Sequence, residues 1–278
     1  MTTVVAVPSR GRLRDFVTTL LGDAGFPTGG FRGGARARVD GVELIEMRPR
    51  DAAAWLRAGR LDGAFLSTDL VLEEEDLGAL VHVPLGAARS VLVVASREDD
   101  GRASAADLAG GVVATHLPRA TARWFTEQGI DVTVVTMGGA LEGVCAAGMA
   151  DAIVDLRETG RSLAENRLRA LAEIAACEAL FVHDGDPDLD DLAVRIGAVL
   201  AARRHRYVML HVDPDRVADL AALFPGLAAP TVLPLAGRDD LVAVHMVTEV
   251  GTFWTRLQDL RALGATGIVA LPPDALVD

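Results

Sequence analysis

The sequence predicts an α/β protein whose sheets are largely parallel, followed by a smaller domain with a different order of elements. Over roughly the first 200 of its 278 residues, short apolar runs alternate with helical patterns, as they do when crossover helices join parallel strands. From residue 207 onward the order becomes strand, helix, strand, strand, helix, strand. That order predicts the split βαβ, or ferredoxin-like, arrangement.

The elements of the first part follow from apolar spacing and from helix-end signals. The first helix places Leu13, Val17 and Leu20 on one face, and the second begins at Pro49 and stops before Gly59, as proline and glycine favour. The predicted strands are Thr3–Val7, Val42–Glu46, Leu61–Leu66, Val91–Ser96, Val112–Thr115, Val132–Thr136 and Ala152–Leu156. The predicted helices are Arg12–Gly22, Pro49–Ala58, Arg119–Gln128, Ala140–Gly148 and Leu189–Arg204. The glycine-rich segment Gly25–Gly34 is predicted to be a loop.

The carboxyl-terminal part carries six predicted elements. They are the strand Tyr207–Val212, the helix Pro214–Phe224, the strands Thr231–Leu235 and Leu241–Thr248, the helix Thr252–Leu263 and the strand Gly267–Leu271.

Composition excludes several classes of function. Half of the residues are hydrophobic and 24% are charged, as in a globular protein. All 27 basic residues are arginine, and the missing lysine excludes a Walker A loop and a Schiff-base or pyridoxal enzyme. The net charge of −12 argues against a general nucleic-acid binder, but a small anion could still bind in an arginine pocket.

The sequence offers neither a zinc motif nor a membrane segment. The six histidines form no H-x-x-x-H pattern, and Cys145 and Cys177 are far apart in apolar stretches, where buried thiols are expected. No secretion signal is recognised at the start, and no run approaches the roughly 18 apolar residues that span a bilayer. We therefore expect a soluble, cytoplasmic protein without nucleic-acid or membrane partners.

The segment Asp151–Leu163, DAIVDLRETGRSL, is the most informative one. An apolar strand with two carboxylates runs into a short loop with a glycine, two hydroxyls and an arginine, which suits a phosphate. The carboxylates could accept hydrogen bonds from sugar hydroxyls, so a sugar phosphate is the natural ligand. The alternative is structural: Thr159 and Ser162 would cap the following helix, and Asp151 and Asp155 would only end a strand.

The same segment resembles the phosphoribosyl-diphosphate loop of phosphoribosyltransferases. Together with its flanks it resembles the ATP phosphoribosyltransferase family, the first enzyme of histidine biosynthesis, in its long form. Other segments match that family in chain order. They are VAVPSRGRL at Val5–Leu13, MRPRD at Met47–Asp51, GGALE at Gly138–Glu142, and, in the tail, PGLAAPTVLPL at Pro225–Leu235 and LGATGIVAL at Leu263–Leu271.

The resemblance implies a two-lobed fold like that of type II periplasmic binding proteins, with the active site in the cleft, and a ferredoxin-like regulatory domain. One lobe would comprise residues 1–88 and 183–206, the other residues 89–182, and the regulatory domain residues 207–278. The implied reaction joins N1 of ATP to C1 of phosphoribosyl diphosphate, with inversion and loss of Mg²⁺-bound pyrophosphate. The implied assembly is a homo-oligomer, a dimer or a hexamer, and histidine is the implied effector.

The resemblance also implies residue roles, none of them nucleophilic or acid–base, because the reaction needs positioning and electrostatics. Asp151 and Asp155 would hold the ribose hydroxyls. The 5-phosphate would lie against Thr159, Gly160, Arg161, Ser162 and Leu163. Other implied substrate contacts are Arg10, Gly11, Arg48, Asp69 and Glu142. Arg12 and Arg50 are either anion ligands or surface residues. Asp213 and Thr231 are the implied effector contacts, and no residue is assigned to the metal.

The sequence departs from the family pattern on the nucleotide side and on the effector side. Ala64–Asp69 keeps only the acid of G-I-T-G-x-D, and Ala114–Arg119 lacks the aromatic of A-T-x-Y-P-N. His116 either replaces that aromatic or is an ordinary polar residue. An alternative function is therefore a paralogue that performs the same transfer for a coformycin-type nucleoside, without feedback by histidine. A solute-binding module and an inactive regulatory subunit are two further alternatives, against which the missing secretion signal and the retained loop argue.

Overall fold

The structure is a computed structural model that describes residues 3–26, 36–39, 41–224 and 229–277. Most of the loop predicted at Gly25–Gly34, and part of Pro225–Leu235, lie outside these ranges. The chain divides into two compact units, residues 1–193 and residues 194–278. The first elements of the first unit are β1 (Thr3–Pro8), α1 (Gly11–Asp23), β2 (Arg36–Val39), β3 (Val42–Met47), α2 (Pro49–Arg57), β4 (Gly63–Ser67), α3 (Thr68–Glu73) and β5 (Val81–Pro84).

The chain then builds a second set of strands before it returns to the first. These elements are β6 (Ser90–Arg97), β7 (Val112–Thr115), α4 (Pro118–Glu127), β8 (Thr133–Thr136), α5 (Leu141–Ala146), β9 (Ala152–Arg157), α6 (Arg161–Glu165), β10 (Leu168–Cys177) and β11 (Ala179–His183). Helix α7 (Pro187–Arg204) follows and crosses the division between the two units.

Two sheets define two lobes within the first unit. The sheet of lobe I has the order β2-β3-β1-β4-β11-β5, and the sheet of lobe II has the order β10-β6-β9-β7-β8. In lobe I, β1 pairs in parallel with β3 and β4, and in lobe II, β7 pairs in parallel with β8 and β9. Both faces of each sheet are covered, so consecutive strand residues are buried, as in residues 5–7 of lobe I and residues 93–95 of lobe II.

Two adjacent crossover segments connect the lobes. The outward segment runs from β5 to β6, and the return is the single residue Glu178 between β10 and β11. Backbone hydrogen bonds join the segments, from Leu85 N–H to the Ala179 carbonyl (2.9 Å) and from Ala179 N–H to the Ala87 carbonyl (2.8 Å). The Glu178 carboxylate also accepts a hydrogen bond from Gly86 N–H at 2.9 Å. The chain therefore leaves and re-enters lobe I at one place.

The second unit confirms the predicted ferredoxin-like arrangement. Its elements are β12 (His205–Val212), α8 (Val217–Leu223), β13 (Thr231–Leu235), β14 (Arg238–Glu249), α9 (Val250–Ala262) and β15 (Thr266–Leu271). The sheet is antiparallel with the order β13-β14-β12-β15. Val208, Leu210 and Val244 on one sheet face form a core with Leu220 and Phe253 of the two helices.

The two α/β lobes of the first unit and the ferredoxin-like tail are thus as predicted, with corrections in detail. The return to lobe I was expected at residue 183, but β11 already belongs to the lobe I sheet, so it begins at Ala179. Residues 183–206 were assigned to lobe I, whereas the compact units divide at Ala193. Strands β2, β5, β10 and β11 were not predicted.

Candidate active site

The carboxyl ends of the parallel strands in both lobes meet at the cleft. Residues that follow β1 and β3 in lobe I contact residues that follow β7 and β9 in lobe II. The Arg12 guanidinium pairs with the Glu158 carboxylate, and the Arg50 guanidinium donates to the His116 carbonyl. Open α/β sheets bind ligands at this edge, where successive loops converge.

The loop after β9 has a conformation that glycine permits. Gly160 has φ +77° and immediately precedes α6, and its carbonyl accepts a hydrogen bond from Ala164 N–H at 3.0 Å. Side chains with a Cβ rarely adopt this left-handed conformation. The Thr159 hydroxyl accepts a hydrogen bond from Arg161 N–H at 3.4 Å. The backbone therefore turns sharply between β9 and α6, as the sequence predicted.

This loop lines a cavity of about 340 Å³, open to solvent on one side. Most of the sequence-predicted site residues of lobe II come together here, and Arg12 reaches it from lobe I. The lining residues are Arg12, Val93, Glu142, Asp155, Leu156, Arg157, Glu158, Thr159, Gly160, Arg161, Ser162, Leu163 and Glu165.

Two side chains fix the loop to lobe II. Leu163 is buried in the apolar cluster that includes Leu141 and Ile153, so its role is packing. The Ser162 hydroxyl donates a hydrogen bond to the carboxylate of Glu142, which lies in the first turn of α5. Arg161 pairs instead with Glu165 (Nε to Oε1, 2.6 Å) one helical turn further on. A bound anion would compete with these exposed pairs, since each is individually weak.

Asp155 lies beside the cavity with its side chain only 23% exposed. One carboxylate oxygen accepts its neighbour Leu156 N–H at 2.8 Å, and the Nδ1 atom of His116 lies 3.6 Å from it. Burial raises the pKa of the Asp155 carboxyl; the charges of Glu142 and Asp69 act in the same direction, and His116 opposes them. A partly buried carboxylate with remaining lone pairs suits hydroxyl donors.

The structure corrects the assignment of Asp151. It precedes β9 at the end opposite the loop, four residues or about 13 Å along the strand from Asp155. Its carboxylate accepts the Val112 N–H at 2.8 Å and pairs with the Arg102 guanidinium at 2.6 Å. These contacts, the backbone one first, lower the pKa of Asp151. Asp151 therefore joins β9 to β7 and does not line the cavity.

The predicted residues of lobe I lie along its sheet edge rather than in the cavity lining. Arg10 and Gly11 follow β1, and Arg48 follows β3, its parallel neighbour, so the two exposed arginines are adjacent along the edge. Asp69 follows β4 and is 3% exposed, and its Oδ1 atom has no hydrogen-bond partner among the described residues. A buried oxygen without a partner is costly and is typical of a functional position.

The predicted effector residues are not brought together within the second unit. Thr231 is exposed on the edge strand β13 and lies in the same row as His245 and Met209. Asp213 follows β12 four residues beyond Met209, about 13 Å along the strands. The Asp213 carboxylate accepts Asp215 N–H at 2.8 Å and so caps a short 3₁₀ turn.

Two inter-lobe contacts escaped the sequence reasoning. Glu158 was not assigned a role, although it holds Arg12 across the cleft. The buried carboxylate of Glu73 accepts the N–H groups of Arg119 (3.2 Å) and Ala120 (2.9 Å) at the start of α4. The only signal in the sequence was the missing N-cap residue before Pro118, because the side chain of Leu117 cannot accept a hydrogen bond from the first turn.

Comparisons with known proteins agree with this geometry. A family model described as HisG, ATP phosphoribosyltransferase, matches residues 48–197, and one described as HisG, C-terminal domain, matches residues 202–273. The chain is 34% identical to the ATP phosphoribosyltransferase of Gemmatimonas aurantiaca, with 98% of this chain and 99% of that protein covered. It is 30% identical to the enzyme of the same name from Methanococcoides burtonii, with 98% and 99% covered.

A solved structure is similar as well. It is the ATP phosphoribosyl transferase (HisG:HisZ) complex from Thermotoga maritima, with a TM-score of 0.60 and 27% identity. The match covers 70% of this chain and 98% of that one.

Proposed function

The chain belongs to the ATP phosphoribosyltransferase family, and we propose how its cleft performs the reaction. The enzyme transfers the phosphoribosyl group of phosphoribosyl diphosphate to N1 of ATP and releases pyrophosphate. This pentosyl transfer is the first step of histidine biosynthesis. The alternative, a paralogue serving a coformycin-type nucleoside, has no support among the family models and relatives.

The 5-phosphate of phosphoribosyl diphosphate binds in the cavity formed by the loop after β9. The single observation that carries this proposal is the cavity of about 340 Å³ lined by Thr159, Gly160 and Ser162 together with three arginines. Hydroxyl and backbone N–H groups donate to phosphate oxygens, and glycine allows the backbone to come close to them. Arg12 adds a bidentate donor from the opposite lobe once it leaves Glu158.

Asp155 binds the ribose hydroxyls next to that phosphate. Its carboxylate borders the same cavity, and it has lone pairs that no donor among the described residues uses. Glu142 lines the wall beside it and already fixes Ser162. The sugar would thus be held at its 5-phosphate and at its hydroxyls, which leaves C1 as the free end of the substrate.

The arginines at the lobe I edge are the proposed partners of the pyrophosphate and of the ATP phosphates. Arg10 and Arg48 are adjacent and exposed at the ends of β1 and β3, and neither has an ion pair among the described residues. Guanidinium groups bind phosphate oxygens in a bidentate geometry. Gly11 lies between Arg10 and α1 with φ +79°, so a phosphate can approach this turn without meeting a Cβ atom.

The chemistry then requires alignment rather than a protein nucleophile. The N1 lone pair of adenine forms a bond to C1 as the bond from C1 to the pyrophosphate oxygen breaks, and the leaving electron pair goes to pyrophosphate. Holding the two anionic substrates in line can supply about 7–11 kcal/mol of the barrier reduction. The arginines stabilise the charge that develops on the leaving oxygen. No described side chain is assigned a covalent or acid–base role.

Mg²⁺ is proposed to enter with the substrate. Within the described ranges no three His, Cys, Asp or Glu side chains come together so that they could hold a metal ion. The residues therefore do not form a dedicated metal site. Mg²⁺ is commonly bound mainly by phosphate oxygens and water, which agrees with Mg²⁺ carried by the diphosphate, and no step here depends on a protein ligand to it.

Regulation, assembly and location remain proposals. The match of residues 202–273 to the C-terminal domain of the family supports histidine as an effector at the second unit. A homo-oligomer, dimer or hexamer, is proposed by the same resemblance. No helix in the described part of the chain has the length and apolarity needed to cross a membrane. The cytoplasmic location is proposed from the substrates, ATP and phosphoribosyl diphosphate.

A direct assay tests the function. The protein is incubated with ATP, phosphoribosyl diphosphate and Mg²⁺, with pyrophosphatase to remove one product, and the absorbance of phosphoribosyl-ATP is followed. We expect product only when all substrates are present. A folded protein that forms no product under these conditions would contradict the proposal. Added histidine then tests the effector proposal separately, through inhibition of the same signal.

A further inference from the structure

His116 lies beside Asp155 because of the register between β7 and β9. Thr115 at the end of β7 pairs with Val154 of β9 in parallel. The next residues along the two strands are His116 and Asp155, so their side chains leave adjacent backbone positions. The His116 Nδ1 atom lies 3.6 Å from the Asp155 Oδ1 atom, and both side chains are about three-quarters buried.

The surroundings of the Asp155 carboxylate are otherwise acidic. Glu142 from α5 and Asp69 from α3 both disfavour its ionised form, and burial does so more strongly. In the described part of the chain, Asp155 has its one ion-pair contact with His116. His116 is thus the group that can compensate the charge of the carboxylate proposed to bind ribose, provided that the imidazole is protonated.

Lobe I fixes the backbone of His116. The Arg50 guanidinium donates to the His116 carbonyl, and His116 also lines a second cavity of about 160 Å³ between α2, α3 and α4. The charged groups that line it with His116 are Arg50, whose guanidinium bonds the His116 carbonyl, and Glu73, Glu74 and Arg119, which are paired with one another. The imidazole therefore lies between this paired cluster and the cavity of Asp155.

We propose that His116 is a positioning residue whose protonated ring keeps the carboxylate of Asp155 ionised for ribose binding. The inference rests on the proposed function of the cavity and goes beyond it, since it assigns a residue that the sequence left open. His116 itself does not line the cavity around the loop after β9. It therefore acts on phosphoribosyl diphosphate through Asp155.

Two variants separate the charge of His116 from its shape. His116→Asn keeps a neutral N–H donor near the position of Nδ1, and His116→Arg provides a permanent charge. On the acid side of the pH profile we expect His116→Asn to raise the KM for phosphoribosyl diphosphate about three- to tenfold with kcat changed less than about twofold. The acid limb of kcat/KM should move to higher pH. His116→Arg should restore the wild-type acid limb.

The controls distinguish this inference from the function itself. Wild-type turnover tests the proposed function, and only a wild-type enzyme that forms product enters the comparison. His82→Gln is the matched control, because the ring of His82 bonds the Leu77 carbonyl at 2.8 Å in lobe I and touches neither cavity. We expect its KM and pH profile to equal those of the wild type.

Three outcomes would overturn the inference. The first is a wild-type KM for phosphoribosyl diphosphate that stays constant between about pH 5 and pH 8. The second is a folded His116→Asn enzyme with the wild-type KM and acid limb. The third is a loss in His116→Asn that His116→Arg fails to restore, because the ring would then act through its shape. Melting temperatures establish that each variant is folded. The first outcome depends only on the pH dependence of the wild-type KM, so it can be tested even if a variant does not fold.

Discussion

Asp151 precedes strand β9 and Asp155 lies in its second half, and the structure predicts opposite consequences when each is changed to asparagine. Asp155→Asn removes the charge from the proposed acceptor of the ribose hydroxyls. A hydrogen bond to a charged group contributes about 2 kcal/mol, which corresponds to about a thirtyfold rise in the KM for phosphoribosyl diphosphate. The KM for ATP should change much less, because Asp155 borders the cavity of the sugar phosphate.

The same substitution should stabilise the free protein. Burial raises the pKa of Asp155, so the folded state binds this proton more readily than the unfolded state. Ionisation therefore costs stability as the pH rises from the unfolded pKa through the folded one, and asparagine removes that cost at neutral pH. Asp155→Asn should consequently unfold at a higher temperature than the wild type while binding its substrate more weakly.

Asp151→Asn is the matched control with the reverse signature. It loses the ion pair with Arg102, at a cost of about 2 kcal/mol, which lowers the melting temperature by about 4–8 °C for a unit of this size. Its KM for phosphoribosyl diphosphate should stay within about twofold of the wild-type value. Steady-state kinetics and calorimetric unfolding measure both quantities. Equal rises in KM for the two variants would refute the assignment of roles along β9.

Three further predictions follow from contacts described above. Gly160→Ala forces a Cβ into φ +77° at a cost of about 1 kcal/mol, and should weaken phosphoribosyl diphosphate binding in a calorimetric titration; equal affinity would contradict the loop's role. Glu73→Gln removes the charge at the start of α4, where Ala120 N–H donates at 2.9 Å; it should cost about 1 kcal/mol in urea unfolding, and an unchanged midpoint would contradict this. Burial lowers the pKa of His183, so the unfolded state binds its proton more readily and stability should fall as pH drops below about 6.5. In His183→Gln the free energy of unfolding should decrease less steeply as the pH falls. Identical slopes in the variant and the wild type would show that His183 does not cause the pH dependence.

The strand and loop of the phosphate cavity could be predicted because their signals are local. An apolar run predicts β9, and glycine at residue 160 predicts the turn that its positive φ angle confirms. Strand β10 could not be predicted in the same way. Its sequence, LRALAEIAAC, has the alanine, leucine and glutamate of a helix, but it pairs with β6 along its length through two register shifts. Tertiary pairing there overrides local propensity.

The same distinction between local sequence signals and tertiary contacts applies to the site residues. The sequence places Asp151 and Asp155 together upstream of the loop, but it does not show that they lie at opposite ends of a strand with different partners. Contacts between lobes were equally inaccessible. The pairing of Glu73 with α4 joins residues 46 and 47 positions apart, and only the folded chain brings them together. The local sequence pattern thus predicted the loop after β9, whereas the different roles of Asp151 and Asp155 became apparent only from the tertiary structure.

The two adjacent crossovers, one leaving β5 and the other entering β11, have a further consequence. These two strands are antiparallel neighbours in the lobe I sheet, with Pro84 opposite Leu180. Lobe II is therefore inserted between these two strands, at the position where a hairpin turn would otherwise connect them. Excising it and joining Gly86 to Glu178 would leave an ordinary hairpin, and the entropy of closing an insertion grows only slowly with its length. The lobe proposed to bind the phosphate is thus an insertion at one turn of the lobe I sheet, and its removal would leave the strand pairing of that sheet intact while it exposes the apolar cluster that the two lobes share.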